Sequence, residues 1–514
     1  MKKWIPTILA CLIFLPGYGA AFAEEKPNPP IKLDVDEDGK TDFLITVEGW
    51  SRFTPPKVEQ KEYQHATYTT YTYEDEGGQT KFTLTLVKTA KNDVLFFGNQ
   101  QQSEKPVTTY MTVQINDPYI SHQYLIPEDG ENYKGQWQGW YSEAKSAPMP
   151  IRPVYAQGSK LNGRIGSIDL YTPQGDTVIK LVGNIPVNRI KNEKDTRYQF
   201  QLPGKQQEAS QTWGILSTRP LIQNAIPEAA KLAQQMDKDT FRKLGVDGLY
   251  ETTPLTYFPS SPDSYYRNPA NITGLRHVFD SNQAQYGGLT YAMVTHLAYV
   301  AVQNQNEQGY WETAPRSNWL FQDYQIDSHY FDNRRNADNA TFLLRYNRMY
   351  PDPVIQQALE KWESFLYKYI DKTSLQTENG GYLLSDYVDA SMEHVSHTAL
   401  NHHIAILNYL LESNLYAPND EKREYIDLLQ RGIEDTQDLW IKPNSDLYYA
   451  LYRDLTPHAY PDYYSLTLED MILTQALLRQ NNLPENEAIK KLMDAKRSWM
   501  DAQQAQQRTV TNQQ

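Results

Sequence analysis

Residues 445–464 concentrate side chains that could bind and chemically modify a sugar. The stretch reads SDLYYALYRDLTPHAYPDYY, and six of its twenty residues are tyrosines. Arg453 and His458 lie among these phenols, together with the carboxylates of Asp454 and Asp462. Tyrosine can transfer protons, and a guanidinium can bind a carboxylate through two parallel hydrogen bonds. This composition does not suit a packed helix and predicts a loop that binds an acidic sugar.

A second group of polar side chains is a set of histidines close together in the chain. They are His394, His397, His402 and His403. Such a cluster can bind zinc, but the sequence contains no HExxH motif. Adjacent residues of a helix also project about 100° apart, so His402 and His403 point in different directions. We expect one or two of these histidines to line a pocket and the others to pack, and we expect no cofactor in catalysis.

Residues 34–42, DVDEDGKTD, have the oxygen ligands and the spacing of a calcium-binding loop. The aspartates at positions one, three, five and nine of this loop are Asp34, Asp36, Asp38 and Asp42. Gly39 provides the turn at position six, but position twelve is Ile45 rather than the glutamate of an EF-hand. Two alternatives stay open, a structural calcium site and an exposed acidic turn.

The first 23 residues predict a cleaved signal peptide. Lys2 and Lys3 precede an apolar run over residues 4–15, and residues 21–23 (AFA) have the small residues of a cleavage site. Cleavage before Glu24 would give a secreted protein, either extracellular or associated with the cell wall. The apolar run is too short to span a membrane.

Cysteine content and charge exclude several classes of function. The only cysteine is Cys11, inside the predicted signal peptide, so the mature chain would have neither a disulfide nor a catalytic thiol. The sequence before Cys11 is too short to predict a lipid anchor. A net charge of −14 gives no general attraction to nucleic acid or anionic lipid. No GxSxG, P-loop or GxGxxG motif indicates a serine hydrolase, an NTPase or a dinucleotide-binding enzyme.

Short alternating segments predict an all-β part over residues 24–220. KFTLTLV (81–87) and RYQFQL (197–202) alternate apolar and polar residues. Residues 167–183 indicate a strand, a turn and a second strand. We expect one or two sandwich or barrel domains here.

From residue 221 to residue 505 the apolar spacing becomes helical. The predicted helices cover residues 226–244, 284–304, 336–350, 353–370, 397–412, 420–440, 465–480 and 485–500. Repeated amphipathic helices with short connections predict an α/α toroid, with residues 445–464 among the loops at its mouth. The predicted fold class is multidomain α+β, with a polar tail at residues 506–514.

Five segments give the helical part a resemblance to a known family. They are YYRNPANITGLRHVF (265–279), GGYLLSDYVDA (380–390), TALNHHIAILNYLLE (398–412), RGIEDTQDLWIKPNSDLYYALYRD (431–454) and PDYYSLT (461–467). Over about residues 265–500 the chain resembles the C-terminal catalytic domain of the D-glucuronyl C5-epimerases. The resemblance implies an isomerase that converts D-glucuronic acid to L-iduronic acid in a heparosan-like polymer.

The resemblance also assigns roles to single residues. The implied catalytic residues are Tyr387, Tyr449, Tyr463 and Asp386, the last in place of a glutamate of the family. The implied substrate-binding residues are Arg453, Asn401 and the neighbouring His402. In this chemistry Arg453 would neutralise the uronate carboxylate, and tyrosines on opposite faces of the ring would transfer the proton at carbon 5.

Two other functions stay open from the sequence. A uronate polysaccharide lyase removes the same proton but then expels a leaving group, and a non-catalytic glycan-binding or cell-wall-binding protein could use the same scaffold. The expected partner is an acidic polysaccharide, with no nucleic acid and no membrane span. The chain is also compatible with a homodimer.

Overall fold

The computed structural model shows a β-rich N-terminal part followed by a helical C-terminal part. It describes residues 28–49, 55–75, 77–127, 135–223, 225–226, 228, 232–233, 242–283 and 288–511. The predicted signal peptide and its cleavage site lie outside the described residues. No helix within these ranges is long and apolar enough to cross a bilayer.

Two antiparallel sheets form the N-terminal part. The smaller sheet contains, in spatial order, β1 (Ile31–Leu33), β2 (Phe43–Glu48), β7 (Val107–Ile115), β16 (Thr196–Gly204), β15 (Asn188–Lys191) and β10 (Ser146–Pro148). The larger sheet follows the path β18 (Arg242–Gly245), β19 (Gly248–Thr252), β21 (Ser264–Asn268), β14 (Val178–Ile185), β13 (Ile168–Pro173), β17 (Ala209–Ser217), β12 (Asn162–Ile165), β11 (Val154–Gln157), β8 (Ser121–Pro127) and β9 (Gly135–Trp140). The strands β6 (Asp93–Gln100), β5 (Lys81–Thr89), β4 (Ala66–Glu74) and β3 (Lys57–Glu62) join it in this order through the pairing of β6 with β17.

Alternating burial explains why these segments pack as a sandwich. In β16, Tyr198, Phe200 and Leu202 are fully buried while the residues between them are partly exposed. They pack in one apolar cluster with Phe96 and Leu216 of the larger sheet. The strands predicted at 81–87, at 197–202 and within 167–183 are confirmed.

The helices of the C-terminal part form an inner row and an outer row. The described helices are α1 (Ile272–His277), α2 (Leu289–Asn304), α3 (Asn318–Tyr324), α4 (Asn333–Met349), α5 (Pro353–Thr373), α6 (Leu400–Asn414), α7 (Asp420–Thr436), α8 (Leu466–Gln480) and α9 (Glu487–Thr511). Short 3-10 helices cover Asp280–Asn282 and Gln437–Trp440. Helices α2, α4, α6 and α8 pack against one another in succession, and α5, α7 and α9 pack outside them.

The inner and outer helices differ in how many of their residues are buried. Every residue of α6 is buried, because this inner helix has neighbours on all sides. The outer helix α7 buries one face, including Ile426, Leu429 and Ile433. The large sheet packs on the helical part through a second apolar cluster, which contains these residues of α7 and in which Phe97 of β6 joins Leu297 of α2.

Several predicted boundaries differ from the structure. The strands β18, β19 and β21 follow residue 221, so the β structure extends into the region predicted as helical. The helix predicted over 226–244 is wrong at its end, because Arg242–Gly245 pairs with Gly248–Thr252 as a hairpin. Most of the rest of that segment lies outside the described residues.

Short strands stand directly before two inner helices and hold the loops at their amino ends. Tyr330–Asp332 (β24) precedes α4 and pairs with Tyr387–Val388 (β27). Thr398–Ala399 (β28) precedes α6 and pairs with Ala450–Leu451 (β29). This pairing explains why α6 begins at Leu400 and not at residue 397 as predicted, and it brings residues 387, 398 and 450 to one end of the inner row.

Candidate active site

Burial and hydrogen bonds hold Asp386 in one position in the site. Its side chain is fully buried, and Oδ1 accepts a hydrogen bond of 2.7 Å from the backbone N–H of Ala399. Its own backbone N–H donates to the carbonyl of His397, and its carbonyl accepts from the N–H of Asn333. These bonds join the strand that carries Tyr387 to the amino ends of helices α4 and α6.

His402 has one nitrogen fixed as a donor and the other free to accept a proton. The amide nitrogen of Asn333 donates to the backbone carbonyl of Ser385 at 3.1 Å, so the amide oxygen must face the other way. That oxygen lies 2.7 Å from Nδ1 of His402. Nδ1 therefore carries the hydrogen and Nε2 has the lone pair of a general base. No side chain in the described part of the chain hydrogen-bonds to Nε2.

His397 lies at the centre of a ring of aromatic side chains. Its centroid is 5.5–6.5 Å from those of Trp319, Tyr324, Tyr387, Tyr449, Tyr452 and His458. Nε2 of the imidazole is 3.3 Å from Oδ2 of Asp386, and Nδ1 is 2.8 Å from the hydroxyl of Tyr324. The side chain of His397 is only 2% exposed. Residues 448–460 thus cover a buried histidine, which explains their aromatic content.

The three tyrosines predicted as catalytic come together at this place. The ring of Tyr387 is 5.4 Å from that of His402, and the ring of Tyr449 is 6.1 Å from that of Tyr463. Burial raises the pKa of Tyr387 well above its usual value, and the nearby Tyr449 adds to this rise. Burial is also the main cause that raises the pKa of Tyr449, followed by the charge of Asp386.

These pKa shifts decide the chemical role of the phenols. A phenol with a raised pKa stays protonated at neutral pH, so Tyr387 and Tyr449 are hydrogen-bond donors or acids rather than bases. Burial likewise raises the pKa of Tyr463, whose side chain is 49% exposed at the mouth. Nε2 of His402 is the atom beside these protonated phenols that offers a lone pair.

Residues 446–462 are held at both ends by one buried ammonium group. Nζ of Lys496, from helix α9, is 2.7 Å from Asp446 and 2.9 Å from Asp462. The side chain of Lys496 is completely buried. Charge pairing at the two ends of the loop presses its tyrosines onto His397.

Arg453 does not reach the tyrosine cluster. Its NH1 donates to the backbone carbonyl of Thr373 at 2.9 Å and to Oγ of Ser385 at 3.1 Å. Partial burial lowers the pKa of its guanidinium from the usual value. These bonds tie the loop to the end of helix α5, so the predicted role of Arg453 as a carboxylate clamp has no support in this placement.

Asn401 stands beside His402 but on another face of the helix. Its backbone carbonyl accepts from Arg334 at 3.2 Å. Its side chain is 2% exposed, and Oδ1 has no hydrogen-bond partner among the described residues. A buried amide oxygen without a partner costs free energy.

The other histidines of the predicted cluster have structural positions. Nε2 of His403 is 3.1 Å from the carbonyl of Leu429, and burial lowers the pKa of His403 to about 4. His394 lies near the surface, 3.2 Å from Asp389. Only His397 and His402 of the four line the site, as expected for one or two of them.

Among the described residues, one group could hold a metal ion, and it lies far from this site in sequence. Carboxylate oxygens of Asp34, Asp36 and Asp42 lie within 4.8 Å of one another. The fourth predicted ligand, Asp38, pairs instead with Lys40 at 2.9 Å. Burial raises the pKa of Asp42, and the neighbouring carboxylates add to this rise.

The cations closest to the site are already paired with carboxylates. Arg334 binds Asp338 and Asp470, and its side chain is 17% exposed. Arg335 lies 3.5 Å from Asp332 and over the rings of two buried tyrosines, Tyr257 and Tyr266. Asp332 in turn is 4.0 Å from Nδ1 of His402. The site therefore combines carboxylates with phenols and imidazoles.

No protein-family model and no curated protein matches this sequence. Among solved structures, a cellobiose 2-epimerase from Bacillus thermoamylovorans B4167 is similar at a TM-score of 0.33 and 13% identity, covering 44% of this chain and 56% of its own. A cellobiose 2-epimerase from Spirochaeta thermophila DSM 6192 has a TM-score of 0.34 and 15% identity, covering 54% of this chain and 70% of its own. A family 76 glycoside hydrolase from a bovine Bacteroides thetaiotaomicron strain has a TM-score of 0.35 and 9% identity, covering 87% of this chain and 78% of its own. Scores of this size do not assign an activity to this chain.

Proposed function

We propose that this chain is a sugar epimerase that removes a proton from a carbon next to a carbonyl or carboxyl group and returns it. The observation that carries the proposal is the fixed tautomer of His402, with Nε2 open beside the phenol of Tyr387. A neutral imidazole with a free ring nitrogen is a suitable general base. We further infer that the two rows of helices belong to an α/α toroid.

The phenols complete the proposed chemistry. Loss of the proton places negative charge on an oxygen of the substrate, and preorganised hydrogen-bond donors stabilise such an oxygen. Tyr387 and Tyr449 remain protonated because their pKa values are raised, so both hydroxyls can donate to it. Asp386 holds this arrangement through its bond to Ala399 and its contact with His397.

The substrate implied by the resemblance is D-glucuronic acid in a heparosan-like polymer. The convergence of Tyr387, Tyr449, Tyr463, Asp386 and His402 supports this proposal. The position of Arg453 does not, because its NH1 group binds the backbone carbonyl of Thr373 and the hydroxyl of Ser385.

An uncharged sugar with a carbonyl at its reducing end is a second candidate substrate. The observation that favours it is the pairing of Arg334 and Arg335 with carboxylates, which leaves both guanidinium charges compensated. A carboxylate substrate that loses a proton becomes doubly charged and would need such a cation. A carbonyl becomes singly charged and needs only neutral donors.

Deuterium exchange tests the proposal. The purified protein would be incubated in ²H₂O with heparosan and, separately, with cellobiose. The epimerase incorporates deuterium at one carbon without cleaving the chain, whereas a lyase produces unsaturated ends and a glycan-binding protein does neither. Binding of either sugar without exchange would contradict the proposal. Exchange into heparosan alone would support the uronate, and exchange into cellobiose alone the uncharged sugar.

We also propose that the chain is exported after cleavage before Glu24 and acts outside the cell. The support is the composition of residues 1–23. A calcium ion at Asp34, Asp36 and Asp42 is proposed as a structural element of the β-rich part, because these carboxylates cluster. It takes no part in the proposed reaction.

A further inference from the structure

We propose that Tyr324 is the second proton-transfer group of this site and acts together with His397 and Asp386. The inference rests on the proposed epimerase function, which needs one group on each face of the sugar carbon. Tyr324 is the last residue of helix α3 and was not indicated by the sequence. His402, from helix α6, would serve the other face.

The three side chains form a line of acid and base groups. Oδ2 of Asp386 is 3.3 Å from Nε2 of His397, and Nδ1 of the same ring is 2.8 Å from the hydroxyl of Tyr324. A buried carboxylate favours a hydrogen on the nitrogen that faces it. Nδ1 then accepts the hydrogen of the Tyr324 hydroxyl. The order carboxylate, imidazole and hydroxyl is that of an activated nucleophile or base.

The surroundings of His397 hold this line in one geometry. The indole of Trp319 stacks on the imidazole with 15° between the planes, and the side chain of Asp386 is fully buried. Oδ2 of Asp386 and Nε2 of His397 lie 3.3 Å apart without the geometry of a hydrogen bond, and neither atom has a hydrogen-bond partner among the described residues. Neither group is therefore committed to another structural contact.

Tyr324 differs from the other phenols of the site in what its hydroxyl contacts. Burial raises the pKa of Tyr324, so the free tyrosinate is not populated near neutral pH. The imidazole of His397 makes a free tyrosinate unnecessary. Its Nδ1 can take the hydroxyl proton of Tyr324 while the Tyr324 oxygen receives a proton from the sugar carbon. Among the described residues, Tyr324 is the only phenol of the site whose hydroxyl is hydrogen-bonded to an imidazole nitrogen.

The proposed reaction balances one proton in each direction. Nε2 of His402 takes the proton from carbon, and the electron pair of the broken C–H bond moves into the adjacent carbonyl. Tyr324 then gives its hydroxyl proton to the other face of the carbon, while Nδ1 of a protonated His397 returns a proton to the Tyr324 oxygen. The net result transfers one proton from His397 to His402, and the reverse direction restores it.

In each direction of the reaction this scheme requires one imidazole to be protonated and the other to be neutral. The titratable groups that face His397 and His402 are Asp332, Asp386, Tyr324, Tyr387, Tyr449, Tyr452 and His458.

Exchange measured separately from each epimer tests the proposal. Wild type and Tyr324→Phe would be incubated in ²H₂O with heparosan and with its epimerised form, and with cellobiose and its 2-epimer. We expect Tyr324→Phe to epimerise at least about a hundredfold more slowly. It should still exchange the proton that His402 reaches, from one epimer only. Wild-type epimerisation by Tyr324→Phe, or equal loss of exchange from both epimers, would overturn the proposal.

A matched control and a measurement without substrate complete the test. Tyr425 donates its hydroxyl to Asp371 at 2.9 Å outside the site, so Tyr425→Phe should keep both exchange rates. In ¹⁵N-histidine-labelled protein, Nδ1 of His397 should give the signal of an unprotonated nitrogen, and Tyr324→Phe should move that signal. A neutral His397 ring with its hydrogen on Nδ1 and none on Nε2 would overturn the relay, whether or not a substrate is known. Failure of the wild type to exchange deuterium into any sugar would contradict the proposed function but leave this nitrogen measurement decisive.

Discussion

Oδ1 of Asn333 accepts a hydrogen bond of 2.7 Å from Nδ1 of His402, and this contact leaves Nε2 as the free base of the site. The orientation of the Asn333 amide is set in turn by the backbone carbonyl of Ser385. A helix that begins at Asn333 therefore determines the tautomer of a side chain on another helix.

The first prediction concerns His402 and its neighbour. His402→Gln should lower turnover by about a hundredfold or more, because an amide cannot take the proton. His403→Gln should keep turnover and lose about 1 kcal/mol of stability, because His403 only bonds to the backbone. Urea unfolding and deuterium exchange would measure the two effects. Equal losses of turnover in both variants would mean that packing, not proton transfer, is the role of His402.

The second prediction concerns the hydroxyl of Tyr449. Tyr449→Phe keeps the ring that contacts His397 and Tyr463, so the fold should be unchanged. It removes one donor to the developing oxyanion and should slow turnover about a hundredfold. Tyr448→Phe is the control, because the ring of Tyr448 packs 5.4 Å from Lys442 on the other side of the strand. A full rate in Tyr449→Phe would remove this tyrosine from the proposed machinery.

The third prediction separates structure from binding at Arg453. The NH1 group of Arg453 donates to Thr373 and Ser385, and the ammonium of lysine lacks the fixed planar geometry that directs both bonds. Arg453→Lys should therefore lose about 1 kcal/mol of stability while KM stays the same. A higher KM for heparosan at unchanged stability would restore Arg453 as the carboxylate clamp.

The sequence predicts local features of the fold well because period-two and helical spacing are local properties. The division into a β-rich part and a helical part follows from this spacing. The end of the 226–244 segment does not, because Arg242–Gly245 is a strand only through its pairing with residues 248–252. Tertiary pairing overrides helical spacing in such a place.

The difference between local spacing and tertiary contacts also explains which residues of the site the sequence indicates. The pair Asp386 and Tyr387 and the tyrosines at 449 and 463 carry recognisable chemistry and spacing. Tyr324 and Asn333 do not, because their roles depend on partners 73 and 69 positions away in the chain. Arg453 has suitable chemistry but points to helix α5, and only the three-dimensional path of its loop shows this.

The fourth prediction concerns stability at acidic pH. Burial lowers the pKa of His122, His296 and His403 from 6.5 to about 4 in the folded state. The unfolded chain binds protons at these residues near pH 6.5, so stability should fall as the pH decreases from about 6.5 toward 4. Each histidine should contribute on the order of 2 kcal/mol between pH 7 and pH 5. His296→Gln should reduce this dependence in urea unfolding, and an unchanged slope would contradict the assignment.

The last prediction concerns calcium at the N-terminal loop. Oxygens of Asp34, Asp36 and Asp42 lie within 4.8 Å of one another, and their mutual repulsion contributes to the raised pKa of Asp42. A divalent cation would relieve this repulsion, so calcium at about 100 times its Kd should stabilise the protein by about 2.7 kcal/mol. Asp36→Asn should weaken the effect, while Asp38→Asn should not, because Asp38 pairs with Lys40. The melting temperature with calcium and with chelator measures this, and turnover should change only through stability. If calcium leaves the melting temperature unchanged, the loop is an exposed acidic turn. If chelator slows turnover at an unchanged melting temperature, the ion belongs to the reaction and its purely structural role is wrong.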